Sequence, residues 1–60
     1  MTLWEYDIKS IRAHEWVQMK KDLNEIGFEG WELIKLSDDM NENGITKAVF
    51  KRPLDYVDAL

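Results

Sequence analysis

The chain contains no cysteine, which removes every disulfide framework and every thiolate metal site. It has one histidine, so a metal centre or a nucleophile–base pair at His14 would lack its second imidazole or thiolate. His14 therefore reads as a surface or connecting residue. One proline and three glycines in 60 residues leave no stretch with the composition of a linker, and no repeat or low-complexity tract is present. No apolar run approaches the roughly 20 residues that a membrane-spanning helix needs. The first ten residues, MTLWEYDIKS, have neither a basic start nor an apolar stretch, so no signal peptide or membrane segment is expected and a cytoplasmic location is the default. Basic residues are the minority, eight Lys and Arg against twelve Asp and Glu for a net charge of -4. Direct nucleic-acid binding, which draws on clustered cations, is not expected.

What is present is 45% hydrophobic and 33% charged, the composition of a single globular domain. The domain is expected over residues 1–53, with 54–60 as a tail. At this size about 60% of the unfolded surface is buried. The apolar gain, on the order of 90 kcal/mol, is then matched by an ordering entropy of about the same size. Without disulfides or metal, self-association is the remaining source of stability. A homodimer or higher oligomer is expected, with tryptophan and tyrosine as its anchors.

Leu3 to Lys9 alternates, with Trp4, Tyr6 and Ile8 on one face and Glu5, Asp7 and Lys9 on the other, the period of a half-buried strand. Trp16, Met19, Leu23 and Ile26 then form one stripe of an amphipathic helix, for which Ser10 is a candidate N-cap. Gly27 is expected to end it in the left-handed conformation, with Phe28 packing back on Leu23. Gly27→Ala would then cost about 1 kcal/mol. Trp31 to Leu36 is apolar on both faces and reads as a strand covered from two sides. Ser37 to Gly44 ends in Asn-Gly, a hairpin signal leading into Ile45 to Arg52, which Pro53 closes. On that strand Thr46, Ala48 and Phe50 share one face, and Ile45, Lys47, Val49 and Lys51 the other. In the tail, Leu54, Val57 and Leu60 align as a short turn of helix. The fold class is α+β, a β-α-β-β unit with one helix packed on a three-stranded sheet. One helix covers one sheet face, so the apolar residues on the other mark an interaction surface. The interface candidates are Trp4, Tyr6, Trp31, Leu33, Ile45 and Val49; Trp4, Tyr6 and Trp31 also fit a core on the helix-covered face. Trp16 is expected in the core.

Trp4-Glu5-Tyr6 near the start, Leu23 to Gly27 closing the helix, Glu29-Gly-Trp-Glu-Leu33 after it and Phe50-Lys-Arg-Pro53 at the last strand together resemble a small bacterial and phage family, domain of unknown function 4177. The likeness covers Leu3 to Pro53 and implies the strand-helix-strand-strand order that periodicity also supports. It implies no activity and carries over no functional residues.

The chemistry is sparse. Asp39, Asn41, Asn43 and Gly44 match four positions of a calcium loop, but the position for the bidentate acid is Phe50, so a solvated hairpin loop is expected. Asp38 with Asp39, and Glu29 with Glu32, are paired carboxylates in a chain with little interior in which to separate their pKa values. No catalytic residue, cofactor or metal ligand is assigned, and no enzymatic activity is expected. The leading expectation is a self-associating protein-interaction module. The alternatives are a binder of a nucleotide-like small ligand at a subunit interface, or an acidic mimic of nucleic acid using Asp38, Asp39, Glu42, Asp55 and Asp58.

Overall fold

In the computed structural model, which describes residues 2–56, the alternation that begins at Trp4 continues past Lys9, and strand β1 runs Trp4–Arg12. Helix α1 follows over Trp16–Phe28, then β2 over Glu32–Leu36 and β3 over Ile45–Pro53. The strands form one antiparallel sheet in the order β1-β3-β2. The α+β architecture is the expected one, with a single helix on a three-stranded sheet. Ser10 lies inside β1, and the helix begins after Glu15, which makes no side-chain cap.

β1 and β3 pair in one unbroken register, with Ile11 opposite Thr46, Lys9 opposite Ala48, Asp7 opposite Phe50 and Glu5 opposite Arg52. Directly opposed residues share a face. This is the face beneath α1: Ile11, Ala48 and Phe50 are buried there, and Met19, Leu23, Ile26, Trp31 and Leu36 pack against them. The division of β3 into a Thr46-Ala48-Phe50 face and an Ile45-Lys47-Val49-Lys51 face is as expected. Thr46 is buried, and its hydroxyl is satisfied by the carbonyls of Ser37 (3.0 Å) and Asp39 (3.1 Å), which ties the hairpin loop to the sheet.

Four expectations are corrected. β2 is not covered from two sides; it is a five-residue edge strand, largely exposed, and the buried strand is β3. Its two-sided apolar pattern is resolved by a bulge between Leu33 and Lys35, which lets Leu33 and Leu36 both face the helix side, opposite Phe50 and Ala48. Trp16 is 85% exposed, because it is the first helical residue and the helix meets the core only from Met19 onward. Phe28 is 87% exposed and still helical. Five residues after Leu23 on a helix of 3.6 per turn, it points about 140° away from that side chain. Gly27 is also helical and has no positive φ; the turn is made by Gly30, at φ +87°.

The expected effect of Gly27→Ala therefore changes sign. A Cβ at Gly27 meets no atom within 4 Å, so alanine should stabilise by about 0.5–1 kcal/mol through helix propensity. A urea titration checks this, and an unchanged or lower midpoint contradicts a helical Gly27.

Of the tail, Leu54 N–H donates to Leu3 O at 2.8 Å and Tyr56 N–H to Pro53 O at 3.0 Å. Val57 and Leu60 lie outside the described residues.

Candidate functional site

The β1 face that looked most like core is the one turned away from the helix. By register it carries Trp4, Tyr6 and Ile8 beside Pro53, Lys51 and Val49 of the central strand. Tyr6 and Ile8 are 63% and 64% exposed and Trp4 is 40% exposed. Trp4 is partly sheltered because the Lys51 ammonium sits 4.2 Å from its ring centroid, while Lys51 also lies 3.9 Å from Glu32. Further along the face, Lys47 of β3 and Lys35 of β2 add positive charge. On this face the central strand alternates Ile45, Lys47, Val49 and Lys51, and β1 continues with Ser10 and Arg12 beside Lys47 and Ile45, so the apolar side chains are interleaved with cations.

The two edges of the sheet are closed in different ways. Leu54 N–H donates to Leu3 O and Ala13 N–H to Gly44 O, both in the β1–β3 register, so odd-numbered residues of β1 bond to β3 and even-numbered ones turn their backbone groups to the free edge. Two of those outward N–H groups are occupied. Ile8 N–H donates to Asp7 Oδ1 at 2.8 Å, and Arg12 N–H donates to Asp22 Oδ2 of the helix at 3.0 Å. The opposite edge is the short, bulged β2. Carboxylate caps, shortness and bulging are all devices that discourage strand addition.

Asp22 also accepts from the Arg12 guanidinium, at 3.0 Å from Nε and 2.5 Å from Nη2. These bonds, with the Arg12 N–H, hold its carboxyl at about 2, below the usual 3.8. Asp7 is lowered in the same direction, first by Lys9 and then by the Ile8 N–H. A lowered folded pKa means that the stability contributed by Asp22 is present above about pH 4 and is lost as pH falls toward about 2. Asp22→Asn should melt below wild type at neutral pH, by the modest margin of a solvent-screened pair. In thermal melts the gap should narrow below about pH 4 and close as pH falls through about 2, and a gap independent of pH would refute the pairing.

On the helix side, Arg52 organises a second cluster. Its Nε donates to Glu5 Oε2 at 3.0 Å and its Nη1 to Glu29 O at 2.7 Å. Its guanidinium lies 4.3 Å from the Trp31 ring and 5.2 Å from the Tyr56 ring, and Lys9 approaches Trp31 from 5.0 Å. Every member binds another within the chain, so the cluster is architecture at the end of α1.

Of the six interface candidates, Trp4, Tyr6, Ile45 and Val49 share the open face by register. Trp31 and Leu33 do not: Trp31 packs against the core between Lys9 and Arg52, and Leu33 sits opposite Phe50 on the helix side. Ile8 belongs to the open face and was legible from its alternation with Trp4 and Tyr6. The role of Asp22 at the strand edge had no sequence signal, since its partner is ten residues away on another element.

No family model, curated protein or solved structure matches the chain.

In the hairpin loop, Asn41 Oδ1 accepts from Asn43 N–H (2.9 Å) and Ile45 N–H (3.0 Å), and Gly44 closes the turn at φ +77° with His14 packed over it. The Asn41 oxygen in the calcium-like spacing is thus engaged by the backbone. Asp38, Asp39 and Glu42 are exposed on this loop and Asp55 follows β3, whereas Asp58 lies outside the described residues. An open groove of about 540 Å³ is lined by Thr2, Leu3, Pro53, Leu54 and Asp55, which among the described residues supply one carboxylate and no base. Among the described residues no helix is long and apolar enough to cross a membrane.

Proposed function

We propose that the chain is a small non-enzymatic module that associates with itself, as a homodimer or higher oligomer, and in that form contacts a protein partner. The observation that carries this reading is the amount of apolar surface left uncovered. Only Ile11, Ala48 and Phe50 are buried apolar residues among those described, while Trp4, Tyr6, Ile8, Trp16, Val17 and Phe28 are exposed. Among the described residues, three fully buried apolar side chains with five partly buried ones packed against them supply little of the burial that a domain of this size requires. The resemblance to domain of unknown function 4177 is part of this proposal and adds no activity to it.

Light scattering over a hundredfold range of concentration tests the reading. The expected result is a mass above 7.1 kDa that falls on dilution. A mass equal to the monomer throughout would refute it.

A further inference from the structure

We propose that two copies join β1 to β1 about a two-fold axis through Ile8, making one antiparallel sheet of both chains with Asp7 of each set against Lys9 of the other. This inference rests on the self-association reading and names the surface that carries it.

The β1–β3 register leaves the backbone groups of the even-numbered residues of β1 at the free edge. The N–H groups of Tyr6 and Ser10 meet no acceptor among the described residues, and that of Ile8 is held only by the carboxylate of the residue before it. Asp7 is half exposed, so this cap is readily given up. The Asp22 cap is the firm one, because the Arg12 guanidinium grips the same carboxylate that holds the Arg12 N–H. The edge is thus guarded at Arg12 and open from Tyr6 to Ser10. The other edge offers less, since β2 is five residues long with a bulge inside it.

The charges of β1 select both the occupant and its register. When two copies run antiparallel with Ile8 opposite itself, Tyr6 falls opposite Ser10 and exchanges both backbone bonds with it, as an isologous interface requires. Between these pairs Asp7 faces Lys9 and Lys9 faces Asp7, in the closer kind of antiparallel pair, where opposite charges attract. Within each chain Lys9 and Asp7 already lie 3.2 Å apart, so the seam brings together four charges of alternating sign. No neighbouring register does this. Moving the axis by one residue sets Asp7 against Asp7 or Lys9 against Lys9, and moving it to Tyr6 sets Glu5 against Asp7. Moving it to Ser10 pairs Ile8 with Arg12, whose N–H Asp22 already holds. The apolar exposure agrees with the Ile8 register. Ile8 and Tyr6 are the most exposed apolar residues of β1, and the strand of the second copy would flank both.

The test follows wild type, Asp7→Lys, Lys9→Glu and an equimolar mixture of the two variants by sedimentation. The expected result is a wild-type dimer and, for each variant alone, dissociation at least about tenfold easier, because like charges then meet twice across the seam. The mixture should regain the dimer, since two lysines of one chain then face two acids of the other. Should a variant fail to fold, as circular dichroism would show, a cross-link decides in its place. The chain has no cysteine, so Ile8→Cys offers one thiol per copy, with the two Cα atoms about 5.5 Å apart and within disulfide reach. Mild oxidation should link this variant and leave Asp38→Cys, on the hairpin loop, unlinked; sheets stacked face to face stand about 10 Å apart, too far for the bond. A wild-type dimer left intact by both folded variants, or not restored by mixing them, or not linked through Ile8→Cys, overturns the β1 edge and leaves self-association standing. A wild-type monomer at every concentration overturns both.

Discussion

Phe50→Ala is expected to unfold the domain. Phe50 is 2% exposed on the central strand, with Asp7 opposite it on β1 and Leu33 on β2. Replacing a buried phenylalanine with alanine costs about 3–5 kcal/mol, and a chain of 60 residues has a total stability of only about 3–9 kcal/mol. Met19, Leu23, Ile26, Trp31 and Leu36 pack against this small buried cluster, so the void opens at the contact between helix and sheet. Loss of the cooperative thermal transition, followed by far-ultraviolet circular dichroism, is the expected reading. Phe50→Leu, which refills most of the volume, should keep a transition at lower temperature. A wild-type melt for the alanine variant would mean that Phe50 is not at the centre of the core.

Gly30→Ala is expected to destabilise by about 2–3 kcal/mol, of which the left-handed backbone accounts for about 1–2. Gly30 holds φ +87°, and a Cβ at this position would overlap the Tyr56 ring. The ring cannot move without leaving Arg52, which in turn bridges Trp31, Glu5 and the Glu29 carbonyl. A double-mutant cycle with Tyr56→Ala separates the two causes. Once the ring is gone, Gly30→Ala should cost about 1 kcal/mol less, the backbone share remaining. Equal costs in both backgrounds would show that the ring contributes nothing. The contrast with Gly27→Ala, which should stabilise, is itself a check on where the helix ends.

Much of the architecture was legible because it is written in local periodicity. The Trp4-Tyr6-Ile8 alternation marks a strand wherever that strand is placed. The Met19-Leu23-Ile26 spacing marks a helix with one buried side, and Asn43-Gly44 marks a reversal whose glycine takes positive φ. The errors fall where periodicity is silent about depth. Trp16 continues the helical stripe in phase yet sits ahead of the first turn that touches the core. Phe28 lies between Gly27 and Gly30, two glycines that compete for the helix end, and propensity does not choose between them. The β2 pattern, apolar on both faces, implies burial from two sides, but a bulge between Leu33 and Lys35 re-aims one of the two faces.

The candidate site was legible to about the same extent. The rule that one helix covers one face points to Ile45 and Val49, whereas Trp4 and Tyr6 fit a core on the helix-covered face as well as an interface; by register all four lie on the open face. Which face that is depends on the parity of Ile11, the residue in β1 with no exposed surface. The alternation from Leu3 to Lys9 ends before it. Extending the strand by three residues placed Ile11 beneath the helix and, by alternation, turned the aromatic stripe outward.

The sequence by itself determined the kinds of elements, their order and the absence of cysteine-based chemistry, since each follows from residue type and from neighbours within a few positions. Only the tertiary structure decided that β3 is the central strand, that Trp31 packs inward while Trp4 and Tyr6 do not, and that Asp22 reaches across to cap the edge of β1. The reason is physical. Strand order, face and edge are properties of pairings between segments ten to fifty residues apart, and a period of two repeats identically on either face until a partner selects one.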